Sequence, residues 1–138
     1  MEHTLGVLRE HFRCPEPFAV ALDFGCGVGR LLIPLARRSR VAVGVDASAA
    51  MVDECRQNAA RFGISNTACP PERRDFAGQV GFVCSFLVRQ HIPPARGMGI
   101  IGRLRDLLCP GGLGALHVAA GPPRPVNDSL REGRARGF

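Results

Sequence analysis

Three glycines at alternate positions follow a short apolar run near the start of the chain. Residues 19–22 are apolar, and Asp23-Phe24-Gly25-Cys26-Gly27-Val28-Gly29 comes directly after them. Glycine lets a backbone turn sharply and approach a ligand where a side chain would collide. In an open α/β sheet, a turn of this kind at the carboxyl end of the first strand is where a nucleotide binds. The spacing therefore indicates a nucleotide site built on Gly25, Gly27 and Gly29.

An acidic residue ends the next apolar segment. Residues 41–45 are Val-Ala-Val-Gly-Val, and Asp46 follows them, 21 residues after Gly25. A carboxylate at that position can accept hydrogen bonds from both hydroxyls of a ribose. Arg30 stands where a dinucleotide fingerprint has Gly or Ala, and a P-loop is excluded because the chain contains no Lys. A NAD-binding module stays open as a disfavoured alternative.

Apolar segments alternate along the chain with segments of helical periodicity. Strands are predicted at 19–24, 41–46, 80–88 and 113–119, with a short edge strand near 67–69, and helices at 30–38, 48–61 and 100–108. Strands that alternate with helices form βαβ units with right-handed crossovers. We therefore predict an α/β fold: an open, mainly parallel sheet of about five strands with helices on both faces.

The order of these segments resembles that of the class I, Rossmann-like, S-adenosylmethionine-dependent methyltransferases. Five segments carry the resemblance and follow the order of the family: 22–30, 44–48, Asp75-Phe76, 85–93 and 108–112. Together they lie within about residues 20–120. The resemblance implies an enzyme that transfers a methyl group to an acceptor, with S-adenosyl-L-methionine as its cofactor.

The resemblance also implies which residues contact S-adenosyl-L-methionine. They are Asp23, Gly25, Gly27, Gly29, Asp46, Ala47, Met51, Asp75, Phe76 and Ser85. The glycines would lie under the methionine moiety, with Asp23 near its amino group and Ser85 near its amino-acid end. Asp46 would hold the ribose. Ala47 and Met51 would line the adenine. Asp75 would bind its amino group, and Phe76 would flank its ring.

Structural roles remain open for several of these residues. Asp23 could serve only to organise the glycine turn, and Asp46 could be an acid favoured by the dipole of the following helix. Asp75 follows two arginines and could belong to a surface ion pair. Met51 and Phe76 could be core residues without a ligand contact.

His91 is the candidate for a catalytic base, since it follows the predicted fourth strand. Methyl transfer needs a base only where the acceptor must lose a proton. A lone histidine before Ile-Pro in a turn is more often structural than catalytic, so the structural role is the stronger alternative.

Composition sets the expected partners and location. All 18 basic residues are Arg, the net charge is +6, and Trp and Tyr are absent. Single-strand binders interleave aromatic residues with cations, so we interpret the arginines as solvated surface and expect a small-molecule acceptor rather than nucleic acid. Without a membrane-length apolar run or a signal peptide, we expect a cytoplasmic protein with no membrane partner. The six cysteines lack zinc-site spacing, so we expect reduced thiols and no metal.

The C-terminal segment is short for this family. Residues 121–138 are rich in Pro, Gly and Arg and are predicted to form a poorly ordered tail after a domain of residues 1–120. In the family, a final strand hairpin completes the sheet, and these residues do not supply it. The fifth strand would be an exposed edge, which invites pairing between copies of the chain. The alternative is a truncated or degenerate domain that binds cofactor weakly or needs a partner chain.

Overall fold

A computed structural model of the chain describes residues 6, 10, 16–69, 76–86, 92 and 94–117. The strands are β1 Phe18–Phe24, β2 Ser39–Val45, β3 Thr67–Ala68, β4 Val80–Ser85 and β5 Leu108–Leu116. The helices are α1 Leu32–Ala36, α2 Ala49–Arg61 and α3 Pro94–Leu107. Within these ranges, no helix has both the length and the apolar character needed to cross a lipid bilayer.

The five strands form one parallel sheet in the order β3-β2-β1-β4-β5. β1 is central: Leu22 pairs with Val43 of β2 on one side and with Val83 of β4 on the other. The chain runs outward from β1 to β3 and then returns to the other side of β1, so the strand order reverses between β1 and β4. Ligands bind at such a switch point, outside the carboxyl ends of the strands. The predicted five-stranded α/β fold is confirmed.

Helices cover both faces of the sheet. Side chains alternate between the two faces along each strand. Leu35 of α1 belongs to the apolar cluster of Ala21, whereas Leu104 of α3 belongs to that of Leu22. α2 packs on the same face as α1, because its Cys55 shares a cluster with Ala42, the register partner of Ala21. The sheet therefore lies between two helical layers, α1 and α2 on one face and α3 on the other.

Two helices differ in length from their predicted ranges. α1 covers only Leu32–Ala36 instead of 30–38, because residues 27–31 still form turns and Ser39 already pairs in β2. Pro34 is tolerated because the N–H groups of the first helical turn have no partner within the helix. α3 begins at Pro94 rather than at residue 100. Proline suits that first position, since its fixed φ matches the helix.

The last strand also begins earlier than predicted. β5 starts at Leu108, directly after α3, instead of at residue 113. The segment Pro110-Gly111-Gly112, predicted as a break between helix and strand, lies inside β5. It coincides with an irregularity in the pairing of β5 with β4, between Val80 and Phe82. The break is therefore a distortion of the strand rather than a separate turn.

Candidate functional site

The glycine turn connects β1 to α1 at the carboxyl edge of the sheet. Gly25, Gly27 and Gly29 have φ angles of 80°, 49° and 90°, which residues with a Cβ rarely adopt. The N–H groups of Gly25 and Cys26 donate to the carbonyl oxygen of Val45, at 2.7 and 3.1 Å. These hydrogen bonds therefore connect the turn to the end of β2. The positive φ angles of its backbone explain why glycine stands at alternate positions.

Gly27 and Gly29 serve different parts of this turn. A Cβ at Gly29 would lie 2.8 Å from Cys55 Sγ on α2, so the absence of a side chain lets α2 pack against the turn. A Cβ at Gly27 would meet no described atom within 4 Å. The space beside Gly27 is open, so there the turn leaves room for a ligand to approach the backbone.

Asp46 lies just beyond β2 and accepts hydrogen bonds from two backbone groups. Its Oδ2 accepts from the N–H of Gly27 at 2.9 Å, and its Oδ1 accepts from the N–H of Ser48 at 2.9 Å. A carboxylate offers about four lone-pair positions, so each oxygen can accept one further hydrogen bond. Asp46 therefore organises the glycine turn and keeps the capacity to hold a diol.

Asp23 ends the buried part of β1 with an incomplete set of hydrogen bonds. The residue is 2% exposed. Its Oδ1 accepts from Cys84 Sγ at 3.5 Å, and the backbone of Leu32 is close enough to stabilise its charge. Within the described part of the chain, Oδ2 has no hydrogen-bond partner. A buried acceptor of this kind calls for a donor, and the ammonium group of an amino-acid moiety fits it.

The titration of Asp23 is shifted towards neutral pH. Burial raises the pKa of Asp23 to about 6; the hydrogen bond from Cys84 opposes the rise, and the charge of Asp46 adds to it. Burial also raises the pKa of the Cys84 thiol, which therefore stays protonated and acts as the donor. A positive group placed beside Asp23 would favour its carboxylate form.

Ser85 is a second buried polar residue at this edge. It is 2% exposed, and its Oγ has no hydrogen-bond partner among the described residues. Ser85 follows Cys84, which is in register with Asp23. Because neighbouring side chains of a strand point to opposite faces, Ser85 and Asp23 lie on opposite faces of the sheet.

Two contributors to the site were not predicted from the sequence. Asn58 on α2 donates from Nδ2 to the carbonyl oxygen of Val28 at 3.0 Å, which ties the glycine turn to this helix. Gly44 of β2 lacks a side chain where a Cβ would lie 2.7 Å from Leu32 Cδ2 and 3.0 Å from Cys26 Sγ. A glycine among the valines of a predicted strand was a sequence signal for the close packing at Gly44. No sequence signal indicated the contact of Asn58, because an asparagine in a helix has no special meaning by itself.

The residues predicted to surround the adenine are only partly described. Ala47 is exposed just before α2, and Met51 is 41% exposed in its first turn. Ser48 caps this helix as predicted, since its Oγ accepts from the Met51 N–H at 3.4 Å. Phe76 is half-buried and packs on the cluster beneath α3. Phe76 therefore contributes to the apolar core at this edge.

Asp75, His91 and the predicted tail 121–138 lie outside the described residues. Their proposed roles stay predictions. The same holds for the boundary of the domain at residue 120.

Comparison with known proteins identifies matches over most of the chain. A family model described as a methyltransferase domain matches residues 21–112. A methyltransferase from Clostridium acetobutylicum, described as S-adenosylmethionine-dependent, superposes with a TM-score of 0.70 and 18% identity, covering 83% of this chain and 47% of that one. Phosphoethanolamine N-methyltransferase 1 of Haemonchus contortus, solved with S-adenosylhomocysteine, gives a TM-score of 0.66 and 16% identity over 76% of this chain and 23% of that one.

A curated relative matches over a shorter segment. The chain is 45% identical over 51 residues to the 23S rRNA (uracil(1939)-C(5))-methyltransferase RlmD of Alkalilimnicola ehrlichii. The match covers 37% of this chain and 12% of that protein. The chain therefore matches only a small part of the length of this relative.

The sequence led us to expect a small-molecule acceptor and to consider nucleic acid unlikely, and this relative contradicts that expectation. The prediction is wrong, because the relative is named as an RNA methyltransferase. The absence of aromatic residues among the arginines led to the error, since that pattern describes proteins that stack single-stranded bases. Dispersed arginines suffice for phosphate contacts, which depend on charge and not on stacking.

Proposed function

The chain belongs to the class I S-adenosylmethionine-dependent methyltransferases, and from this premise we propose that it transfers a methyl group from S-adenosylmethionine to an RNA acceptor. The family match over residues 21–112 and the five-stranded parallel sheet provide the basis for the reaction class. The acceptor class is argued separately, from the curated relative and from charge.

The observation that supports this most strongly is the Oδ2 of Asp23, which has no hydrogen-bond partner among the described residues and lies beside a turn where no described atom fills the space next to Gly27. A buried carboxylate oxygen without a donor costs roughly 1–3 kcal/mol. The cofactor carries an ammonium group that can supply this donor. The opening beside Gly27 gives the methionine moiety a place to lie against the backbone. This combination supports a cofactor site at the carboxyl edge of β1.

In this proposal, different residues of the site bind different parts of the cofactor. Gly25, Gly27 and Gly29 form the surface under the methionine moiety, and Asp23 accepts from its ammonium group. Asp46 accepts from the two ribose hydroxyls with the lone pairs that Gly27 and Ser48 leave free. The apolar parts of Ala47 and Met51, both exposed at the start of α2, cover one side of the adenine.

The remaining contacts rest on the family resemblance. In the proposal Asp75 accepts from the adenine amino group, Phe76 flanks the ring and Ser85 lies near the amino-acid end. His91 takes a proton where the acceptor must lose one. Only Phe76 and Ser85 of these four are described residues.

The chain accelerates the reaction by holding the reactants in line. The cofactor supplies a methyl group that its sulfonium already activates for transfer. Correct positioning of donor and acceptor can contribute about 7–11 kcal/mol to lowering a barrier. The hydrogen bonds that fix the turn to Asp46 and Asn58 serve this purpose, since they set its geometry before the cofactor binds.

RNA is the acceptor class that the observations favour. The curated relative is named as a 23S rRNA methyltransferase. The net charge of +6 attracts a polyanion. Arg30, directly after the glycine turn, and Arg96, near the start of α3, are both exposed at the carboxyl edge of the sheet, where the cofactor would lie. Phosphates held there would bring RNA to the methyl group.

The proposal is tested with cofactor labelled in its methyl group and 23S ribosomal RNA transcribed in vitro, which carries no modification. We expect label in RNA that ribonuclease releases, and no label with the Asp46→Ala variant. The Asp106→Ala variant is the matched control, because Asp106 is an exposed acid near the end of α3. Cofactor binding without transfer to the RNA, or transfer that persists in Asp46→Ala, would contradict the proposal.

A further inference from the structure

Three thiols meet beneath the glycine turn, although their cysteines are far apart in sequence. Cys26 lies in the turn, Cys55 on α2 and Cys69 just after β3. They share one apolar cluster, and Cys69 follows the Val43–Ala68 register pair, which places it beside Gly44 of β2. The missing side chains of Gly29 and Gly44 make room for Cys55 Sγ and Cys26 Sγ respectively. The proposed methyl transfer uses none of these thiols.

Among the described residues, no group of three or more His, Cys, Asp and Glu side chains is arranged to hold a metal ion. The cysteines are free, with no disulfide between them. Neighbouring reduced thiols of this kind can be oxidised to a disulfide.

Cys69 differs from its two neighbours in exposure and charge. Cys26 is 5% exposed and Cys55 is fully buried, whereas Cys69 is half-buried. Hydrogen bonds from Cys26 and Cys55, together with the guanidinium of Arg56, lower the pKa of Cys69 to about 6. Arg56 is held in place because it donates to the carbonyl oxygen of Cys69 at 2.6 Å. Cys69 is therefore the accessible thiolate of the cluster.

The neighbouring thiols stay protonated. The neighbouring Cys69 thiol and burial raise the pKa of Cys26. Burial raises the pKa of Cys55 to about 11. The contact with Cys69 is the largest influence on Cys26, whereas burial is the largest on Cys55. Cys26 Sγ lies 3.0 Å from where a Cβ on Gly44 would be, next to Cys69, whereas Cys55 Sγ lies against Gly29, so Cys26 is the partner that the geometry favours.

We propose that Cys69 is a hydroperoxide-sensitive thiol that forms a disulfide with Cys26 and thereby locks the glycine turn to the β3 edge of the sheet. The thiolate of Cys69 attacks one oxygen of hydrogen peroxide, the O–O bond breaks, and the leaving hydroxide takes a proton to become water. Cys69 is then a sulfenic acid. The sulfur of Cys26 attacks it, the S–O bond breaks, and the hydroxyl leaves as water with the Cys26 proton. Two thiols are oxidised, and one peroxide is reduced to two waters.

The disulfide would act directly on the turn. The sulfurs of Cys26 and Cys69 must close to about 2.05 Å to form the bond. Cys26 stands between Gly25 and Gly27, so its backbone moves with its sulfur. A displacement of about 1 Å at a positioned site can cost on the order of a hundredfold in rate. This consequence rests on the proposed function, whereas formation of the disulfide does not.

The disulfide is tested on the reduced chain, carrying Cys14→Ser and treated with equimolar hydrogen peroxide. Cys14 is replaced because it shares a tryptic peptide, 14–30, with Cys26. We expect mass spectrometry to link this peptide to 62–73, which contains Cys69. Cys109 is the internal comparison, since it is also half-buried but lies on β5, at the opposite edge of the sheet. Oxidation of Cys69 no faster than that of Cys109, or a link from Cys69 to Cys55, would overturn the proposal.

Two serine variants separate the roles of the neighbouring cysteines. With Cys26→Ser, dimedone should trap a lasting sulfenic acid on Cys69, whereas with Cys55→Ser the disulfide should form as before. Loss of the disulfide in Cys55→Ser alone would contradict the assignment. Iodoacetamide labelling of the unsubstituted chain provides a measurement that needs no variant: labelling of Cys69 should fall to half near pH 6, and a midpoint near that of an ordinary thiol would contradict its assignment as the reactive thiolate.

The effect on the cofactor site is measured separately. The affinity for S-adenosylhomocysteine should fall roughly tenfold or more on oxidation and recover with dithiothreitol, with no such change in Cys69→Ser. A disulfide that forms without changing a measurable affinity would refute the coupling to the glycine turn. Absence of any affinity in the reduced chain would instead refute the proposed function, so the two failures are distinguishable.

Discussion

The carboxylate of Asp46 accepts a hydrogen bond from the backbone N–H of Gly27 at 2.9 Å, joining the end of β2 to the turn that follows β1. The two residues are 19 positions apart in sequence. Asp46 therefore fixes the middle glycine of the turn, where a cofactor would lie. A residue predicted to hold the ribose is therefore part of the scaffold that shapes the candidate site.

Replacing Asp23 by Asn should stabilise the chain in a manner that depends on pH. Folding raises the pKa of Asp23 from 3.8 to about 6, so the folded state binds the proton more tightly and stability falls as pH rises between these values. The buried carboxylate costs about 3 kcal/mol at pH 7. Asp23→Asn should recover up to that amount at pH 7 and nothing below about pH 4.

Urea unfolding of both proteins across pH 4–7 measures this difference. The variant should also bind S-adenosylhomocysteine more weakly, because the ammonium group loses its carboxylate. A gain in stability that is the same at pH 4 and pH 7 would show that Asp23 does not titrate as its burial requires.

Asn58→Ala should loosen the glycine turn without unfolding the chain. The change removes the hydrogen bond from Asn58 Nδ2 to the Val28 carbonyl oxygen. A net loss of about 1 kcal/mol predicts an affinity for S-adenosylhomocysteine that is roughly fivefold lower. Titration calorimetry measures the affinity, and thermal unfolding measures the stability.

Asn66→Ala is the matched control for Asn58. Asn66 also donates from Nδ2 to backbone carbonyl oxygens, those of Ala36 and Ser39, but at the amino edge of the sheet. Its loss should lower stability and leave the affinity of the folded chain unchanged. Equal effects of both substitutions on affinity would mean that Asn58 acts through general stability alone.

Removing two arginines from the carboxyl edge should weaken RNA binding more than removing two from the amino edge. The first pair is Arg30 and Arg96, and the second is Arg40 at the start of β2 and Arg105 near the end of α3; all four are exposed. Each lost phosphate contact lowers the slope of log affinity against log salt by about 0.7–1. Filter binding of unmodified 23S ribosomal RNA at several salt concentrations compares the two double alanine variants. Equal losses would indicate binding by net charge alone and contradict an RNA site beside the cofactor.

The sequence allowed the fold and the tight glycine turn of the candidate site to be predicted, since both depend on local patterns. Alternating glycines between an apolar run and a helix predict a tight turn. Asp46 directly follows β2, and because parallel strands end at the same edge of the sheet, it lies beside the turn that follows β1. The extent of α1 could not be predicted, because it depends on where Ser39 enters β2. Likewise, Asn58 reaches Val28 only through the packing of α2, and the three thiols meet only because β3 lies beside β2. These are long-range contacts that leave no periodic signal.

The central claim is that the carboxyl edge of β1 and β2 binds S-adenosylmethionine through Asp46 and the glycine turn. Titration calorimetry with S-adenosylhomocysteine on the reduced chain tests it most directly, with Asp46→Ala and the control Asp106→Ala. Hydrogen bonds to a charged group contribute about 1.5–3 kcal/mol each, so we expect one site per chain, a loss of affinity of at least about tenfold in Asp46→Ala, and no change in Asp106→Ala. Circular dichroism confirms that the variants are folded. No binding by the unsubstituted chain, or equal binding by Asp46→Ala, would contradict the account.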